Sequence, residues 1–109
     1  MVAFTVRLIP SIDQELDIIS EHTGVVKTSL ILFALNDILR RNQPIKETIG
    51  ISLKESEPFR KSVRFPDPLK VLLEHRSAKE GISANTFINS AIHQVNRDYW
   101  MPLIQEATT

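Results

Sequence analysis

The chain has 109 residues, 42% of them apolar, with thirteen Lys/Arg against thirteen Asp/Glu and no cysteine. That length holds one compact domain or two very small ones, and the apolar content argues against disorder throughout. Disulfides and thiolate metal sites are excluded, no apolar run reaches the roughly 18 residues needed to span a bilayer, and zero net charge does not by itself advertise a nucleic-acid binder.

The first element is a strand. Thr5-Val6-Arg7-Leu8 alternates polar and apolar with period 2, so Val6 and Leu8 share one face while Thr5 and Arg7 share the other. The start of the chain lacks the basic-then-apolar pattern of a signal peptide, because Arg7 is followed only by Leu8-Ile9 before Pro10; with the missing cysteines this gives a cytosolic expectation. A helix follows, with Ser11 as expected N-cap and Gln14 three residues on, then Ile12, Leu16 and Ile19 at helical spacing and Gly24 as the left-handed residue that ends it. Asp13, Glu15, Asp17 and Glu21 collect on this helix as a solvated face, which leaves residues 1–57 with six basic and eight acidic side chains. The second helix is more apolar: Leu30, Ile31, Ala34, Leu35 and Ile38 form a stripe that Leu32, Phe33 and Leu39 widen almost all round. Such a helix must be covered on several sides.

From Arg41 to Phe59 the chain reads as a connection, opened by Pro44 and closed by Pro58, although Ile45, Ile49, Ile51 and Leu53 suffice for a short helix or strand lying on a core. Ser62-Val63-Arg64-Phe65 is then a second alternating strand. Asp67-Pro68 predicts a capped helix start, Leu69, Leu72, Leu73 and Arg76 continue that helix, and Gly81 closes it. The last long helix carries Phe87, Ile88, Ala91, Ile92 and Val95; Asp98-Tyr99-Trp100-Met101 extends it until Pro102 stops it, ahead of Leu103, Ile104 and a frayed polar end. Residues 58–109 hold seven basic and five acidic side chains.

The two halves are copies. A shift of 57 positions aligns Thr5–Arg40 on Ser62–Arg97 without a gap, with identities at Val6/Val63, Arg7/Arg64, Leu16/Leu73, Ser20/Ser77, Gly24/Gly81, Ile31/Ile88, Ala34/Ala91 and Arg40/Arg97. Each copy reads strand, helix, glycine turn, helix, and about 36 residues of that pattern cannot bury the second helix alone. The copies therefore pack on each other or on copies from another chain. The division is 1–42 for the first motif, 43–59 for the linker, 60–101 for the second motif and 102–109 for the tail.

With Gly81-Ile82-Ser83-Ala84-Asn85-Thr86-Phe87-Ile88 as a turn into a second helix, and a short alternating strand before each capped helix, the chain resembles the ribbon-helix-helix DNA-binding family of Arc- and MetJ-like repressors over about residues 3–40 and 60–97. The resemblance implies a mostly α fold with short β-strands, in which two strand-helix-helix repeats pair through an antiparallel two-stranded ribbon that enters the major groove of double-stranded DNA. Its base-contacting residues would be Thr5, Arg7, Arg60, Ser62 and Arg64, with Ala3 on the same face. Arginine grips the O6 and N7 acceptors of guanine bidentately, and the recurrence of arginine in register argues against mere solvation of an exposed strand. The second helices would aim their N-termini at phosphates, through Lys27, Thr28 and Ser29 in the first copy and Ser83, Ala84, Asn85 and Thr86 in the second. Val26 departs from the pattern where Ser83 supplies the cap, and Lys27 would compensate as a charge.

This reading makes the protein a transcriptional repressor or regulator, of plasmid or phage type among others, with an accessory role in plasmid conjugation as the alternative within DNA binding. An antitoxin-like module anchoring a partner through Tyr99, Trp100, Met101, Leu103 and Ile104 is the alternative outside it. Nothing points to an enzyme, a cofactor, a metal or a small-molecule substrate: His22, His75 and His93 sit in no ligand or nucleophile motif, and three glycines make no phosphate loop. The two strands pair either within one chain or between two chains, so a homodimer stays open.

Overall fold

The structure is a computed structural model that describes residues 1–50 and 59–108, with side chains through Glu106. Two strands, β1 (Val2–Leu8) and β2 (Phe59–Phe65), form an antiparallel sheet within the one chain. The register sets Thr5 opposite Ser62, flanked by Ala3 opposite Arg64 and Arg7 opposite Arg60. Thr5 and Ser62, the residues equated by the 57-position shift, face each other at the centre of this register. On the inner face Val6, Leu8, Val63 and Phe65 are fully buried, and Phe4 stacks on Phe65 with ring centroids 5.4 Å apart.

Helices α1 (Pro10–Thr23) and α2 (Lys27–Arg40) follow β1; α3 (Asp67–Glu80) and α4 (Ala84–Val95) follow β2. Each turn between them has its glycine in the left-handed region, Gly24 at φ 75° and Gly81 at φ 68°. The helix starts differ from expectation. α1 begins one residue before Ser11, at Pro10, whose fixed φ suits the first helical turn; the extended Ile9 precedes it and no side chain caps it. α3 likewise has Pro66 ahead of it, with Asp67 inside the first turn and no side-chain cap bond. Ser83 does cap α4, accepting from the Thr86 N–H at 3.1 Å, whereas Val26 leaves α2 without a side-chain cap.

The core explains why neither half stands alone. α2 buries Leu30, Ile31, Ala34, Leu35, Ile38 and Leu39, and packs on α3 and α4 of the other half as well as on α1. α4 buries Phe87, Ile88, Ala91, Ile92 and Val95 against α2, α1 and β1. Polar ties run between the halves: Glu15 of α1 receives the His93 ring at 3.0 Å and the Asn96 amide at 3.0 Å. The radius of gyration, 13.5 Å, matches the roughly 13 Å of one compact body of this length.

The connection after α2 forms neither helix nor strand as far as Gly50. It lies on α4, with Ile45 and Ile49 against the core, the Gln94 amide bonded to Pro44 and Lys46, and the Ile49 N–H donating to Ser90 Oγ at 2.8 Å. Ile51 and Leu53 lie outside the described residues. At the other end Pro102 does not stop the helix. Asn96–Trp100 widens into a π turn, in which the Met101 N–H donates to the Asn96 carbonyl five residues back, and α5 (Met101–Thr108) continues beyond it. The wider turn gives the proline ring the room that a regular α turn denies it. Trp100, Met101 and Ile104 pack on the core, while Tyr99 and Leu103 stay exposed. No single helix among the described residues is long and apolar enough to cross a membrane.

Candidate nucleic-acid interface

The outer face of the ribbon is built from alternation alone. With Val6, Leu8, Val63 and Phe65 turned inward, Ala3, Thr5, Arg7, Arg60, Ser62 and Arg64 must turn outward, and all are exposed except the half-buried Arg7. Six side chains thus form three cross-strand pairs: Ala3/Arg64, Thr5/Ser62 and Arg7/Arg60. The five ribbon residues expected from the sequence are brought together, and Ala3 completes the set.

The backbone of this face is clamped by α4. Asn85 Oδ1 accepts from the Arg7 N–H at 2.9 Å, and the Asn89 amide donates to the Arg7 carbonyl at 2.8 Å. Asn89 Oδ1 accepts from the Ile9 N–H at 2.9 Å, and its amide also reaches the Asn85 carbonyl at 2.8 Å. Two amides four residues apart on a helix thereby do for the outer edge of β1 what a third strand would do. Asn89 is fully buried. Sequence reasoning passed over it, although a lone amide inside an apolar stripe, one turn after Asn85, was the available signal. In the other copy the same positions are Thr28 and Leu32, and Ile9 is matched by Pro66, which has no N–H to satisfy.

Because Arg7 directs its N–H and carbonyl to α4, it does not exchange backbone bonds with Arg60. The two form a non-hydrogen-bonded pair, the kind in which facing side chains come closer. Like charges directly opposite destabilise a ribbon. Among the described residues no carboxylate pairs with Arg7, Arg60 or Arg64. The surface hollow beside α4 differs sharply: it is lined by Lys46, Glu47, His93, Gln94, Arg97 and Asp98, and its charges are internally matched by Lys46–Asp98 at 3.0 Å and Arg97–Glu47 at 3.6 Å. Three cations without a carboxylate partner among the described residues thus gather on one face of the ribbon, whereas Arg40 and Lys79, which also lack one, stand singly on helices.

No protein-family model, curated protein or solved structure matches the chain.

The helix starts flanking the ribbon are unequal. At α4, Ser83 accepts from the Thr86 N–H and donates to Thr86 Oγ1 at 2.9 Å, and the first-turn N–H groups of Ala84 and Asn85 have no acceptor within the helix. The Asn85 side chain is committed to Arg7, so only its backbone faces the open end. At α2, Thr28 is half-buried and Ser29 exposed, but Lys27 is not available as a loose cation. Its ammonium lies between Asp13 at 2.5 Å and Asp17 at 2.8 Å, with the side chain 24% exposed. The expectation that Lys27 offers a free charge in place of the missing cap gives way to an ion pair that ties α2 to α1. Burial pulls the Lys27 pKa down, but hydrogen bonds to Asp13 and Asp17 and their charges outweigh it and hold the pKa above the usual lysine value.

Proposed function

We propose that this protein binds double-stranded DNA sequence-specifically as a tandem ribbon-helix-helix protein, laying the β1–β2 ribbon in the major groove, and that it acts as a transcriptional regulator occupying an operator. The observation that carries the reading is the ribbon's outer face: three arginines with no acidic partner among the described residues, on a short sheet whose other face is core. Dimensions support it. Two strands about 4.8 Å apart fit a groove about 12 Å wide. From Ala3 to Arg7 the face runs about 14 Å, the length of about four base steps at 3.4 Å each. The arginines would read guanine edges, and Thr5 and Ser62 would supply hydroxyls at the centre. The start of α4 would approach the phosphate backbone, with Lys27 serving the fold instead.

Selection of bound sequences from random duplex DNA at moderate salt tests this. Enrichment of a short site is expected. In the Arg7→Ala/Arg64→Ala double variant the fold should persist while preference for that site is lost. Each arginine–guanine pair contributes roughly 1–3 kcal/mol of discrimination. A parent protein that enriches nothing sinks the proposal. A role as an accessory protein of conjugation would use the same surface, and a neighbouring relaxase gene would mark it.

A further inference from the structure

Resting on that reading, we infer that the recognised site is directional, with more guanine in the half facing Arg7 and Arg60 than in the half facing Arg64 and Ala3. The 57-position shift exchanges Arg7 with Arg64 and Ala3 with Arg60. The first exchange preserves chemistry. The second does not: one end of the ribbon presents two guanidinium groups side by side, and the other presents one guanidinium beside a methyl group. Arginine seeks the paired acceptors of guanine, whereas alanine offers only apolar contact, which the thymine methyl accepts. A reading head with unlike ends fits a site with unlike halves.

The backing of the ribbon is unequal in the same sense. Arg7 stands on backbone held by Asn85 and Asn89. Arg64 stands on an edge where the matching helix positions are Thr28 and Leu32, and α4 packs on β1 more closely than α2 does on β2. The two-arginine end is therefore also the end with the fixed strand, which favours strict base selection there.

Selection from random duplexes with three proteins decides the matter: the parent, Arg60→Ala and Ala3→Arg. Both substitutions fall on exposed positions of the ribbon, and an unchanged melting temperature confirms folding. The parent consensus should be non-palindromic, with an extra guanine in one half preferred about tenfold over the other bases. Arg60→Ala should lose that guanine alone and move the consensus toward a palindrome; Ala3→Arg should add a guanine in the opposite half. A palindromic parent consensus overturns the directional site but leaves DNA reading intact. The inference is equally overturned if Arg60→Ala keeps the parent consensus and only weakens all sequences with a shallower salt slope, the mark of a phosphate contact. Absence of any enrichment by the parent overturns the underlying reading, and directionality falls with it.

Discussion

Asn89 is a wholly buried amide in a helix that otherwise buries mainly apolar side chains. Its three short bonds end on the Ile9 N–H, the Arg7 carbonyl and the Asn85 carbonyl, so Asn89→Ala leaves two strand-edge groups without partners. Stability should fall by about 2–3 kcal/mol, a drop on the order of 10 °C in melting temperature; a variant that melts like the parent would refute the clamp. Lys27 makes a different prediction. Lys27→Ala should destabilise by about 1–2 kcal/mol through loss of the Asp13 and Asp17 bonds, while under the proposed function the salt slope of DNA binding would stay that of the parent. Since the folded pKa is raised, this stabilisation is complete below the ordinary lysine value of 10.5 and is lost as pH rises through the folded value. Melting curves of parent and variant should converge at that alkaline end. Which ribbon side chains face outward was legible, because Val6, Leu8, Val63 and Phe65 leave their alternates no other side. The fate of Lys27 was not: its partners lie on a helix that meets α2 at 107°, and that angle is no property of the sequence around residue 27.

At the scale of elements, the spacing of apolar residues located all four long helices, and the glycines located both turns. A methyl group built on Gly24 or Gly81 meets nothing within 4 Å, so their requirement is conformational and not steric crowding. Gly24→Ala and Gly81→Ala should each cost about 1–2 kcal/mol, and asparagine at the same positions should recover part of it, as chemical denaturation would report. Helix starts were less legible, because the serine and aspartate that suggested caps stand beside prolines whose fixed φ begins the helix on its own terms. The end of the chain departs from its sequence pattern for a related reason. A proline was expected to break the helix, but the π turn at Asn96–Trp100 changes the hydrogen-bond register just ahead of it. Tyr99 and Trp100, which together suggested a partner-binding anchor, divide accordingly into an exposed ring and one packed on the core.

For the whole molecule, the sequence announced two copies and left their partnership open between one chain and two. In the structure β1 pairs with β2 of the same chain, the one-chain arrangement, and no residue pattern within the strands could have chosen it. Folding should accordingly be unimolecular. Melting temperature should not change over a hundredfold range of protein concentration, and a rise with concentration would show that completion of the fold requires a second chain.

Covalent continuity between the halves also sets how the protein responds to its own abundance. When a recognition surface is assembled from two separate chains, the number of working surfaces falls as the square of chain number once the pool drops below the pairing constant. Under the proposed function every chain would carry its own complete surface, and occupancy of a target would follow expression in simple proportion. A cell holding a handful of copies would then keep a handful of competent binders, and dilution at division would halve their number instead of quartering it.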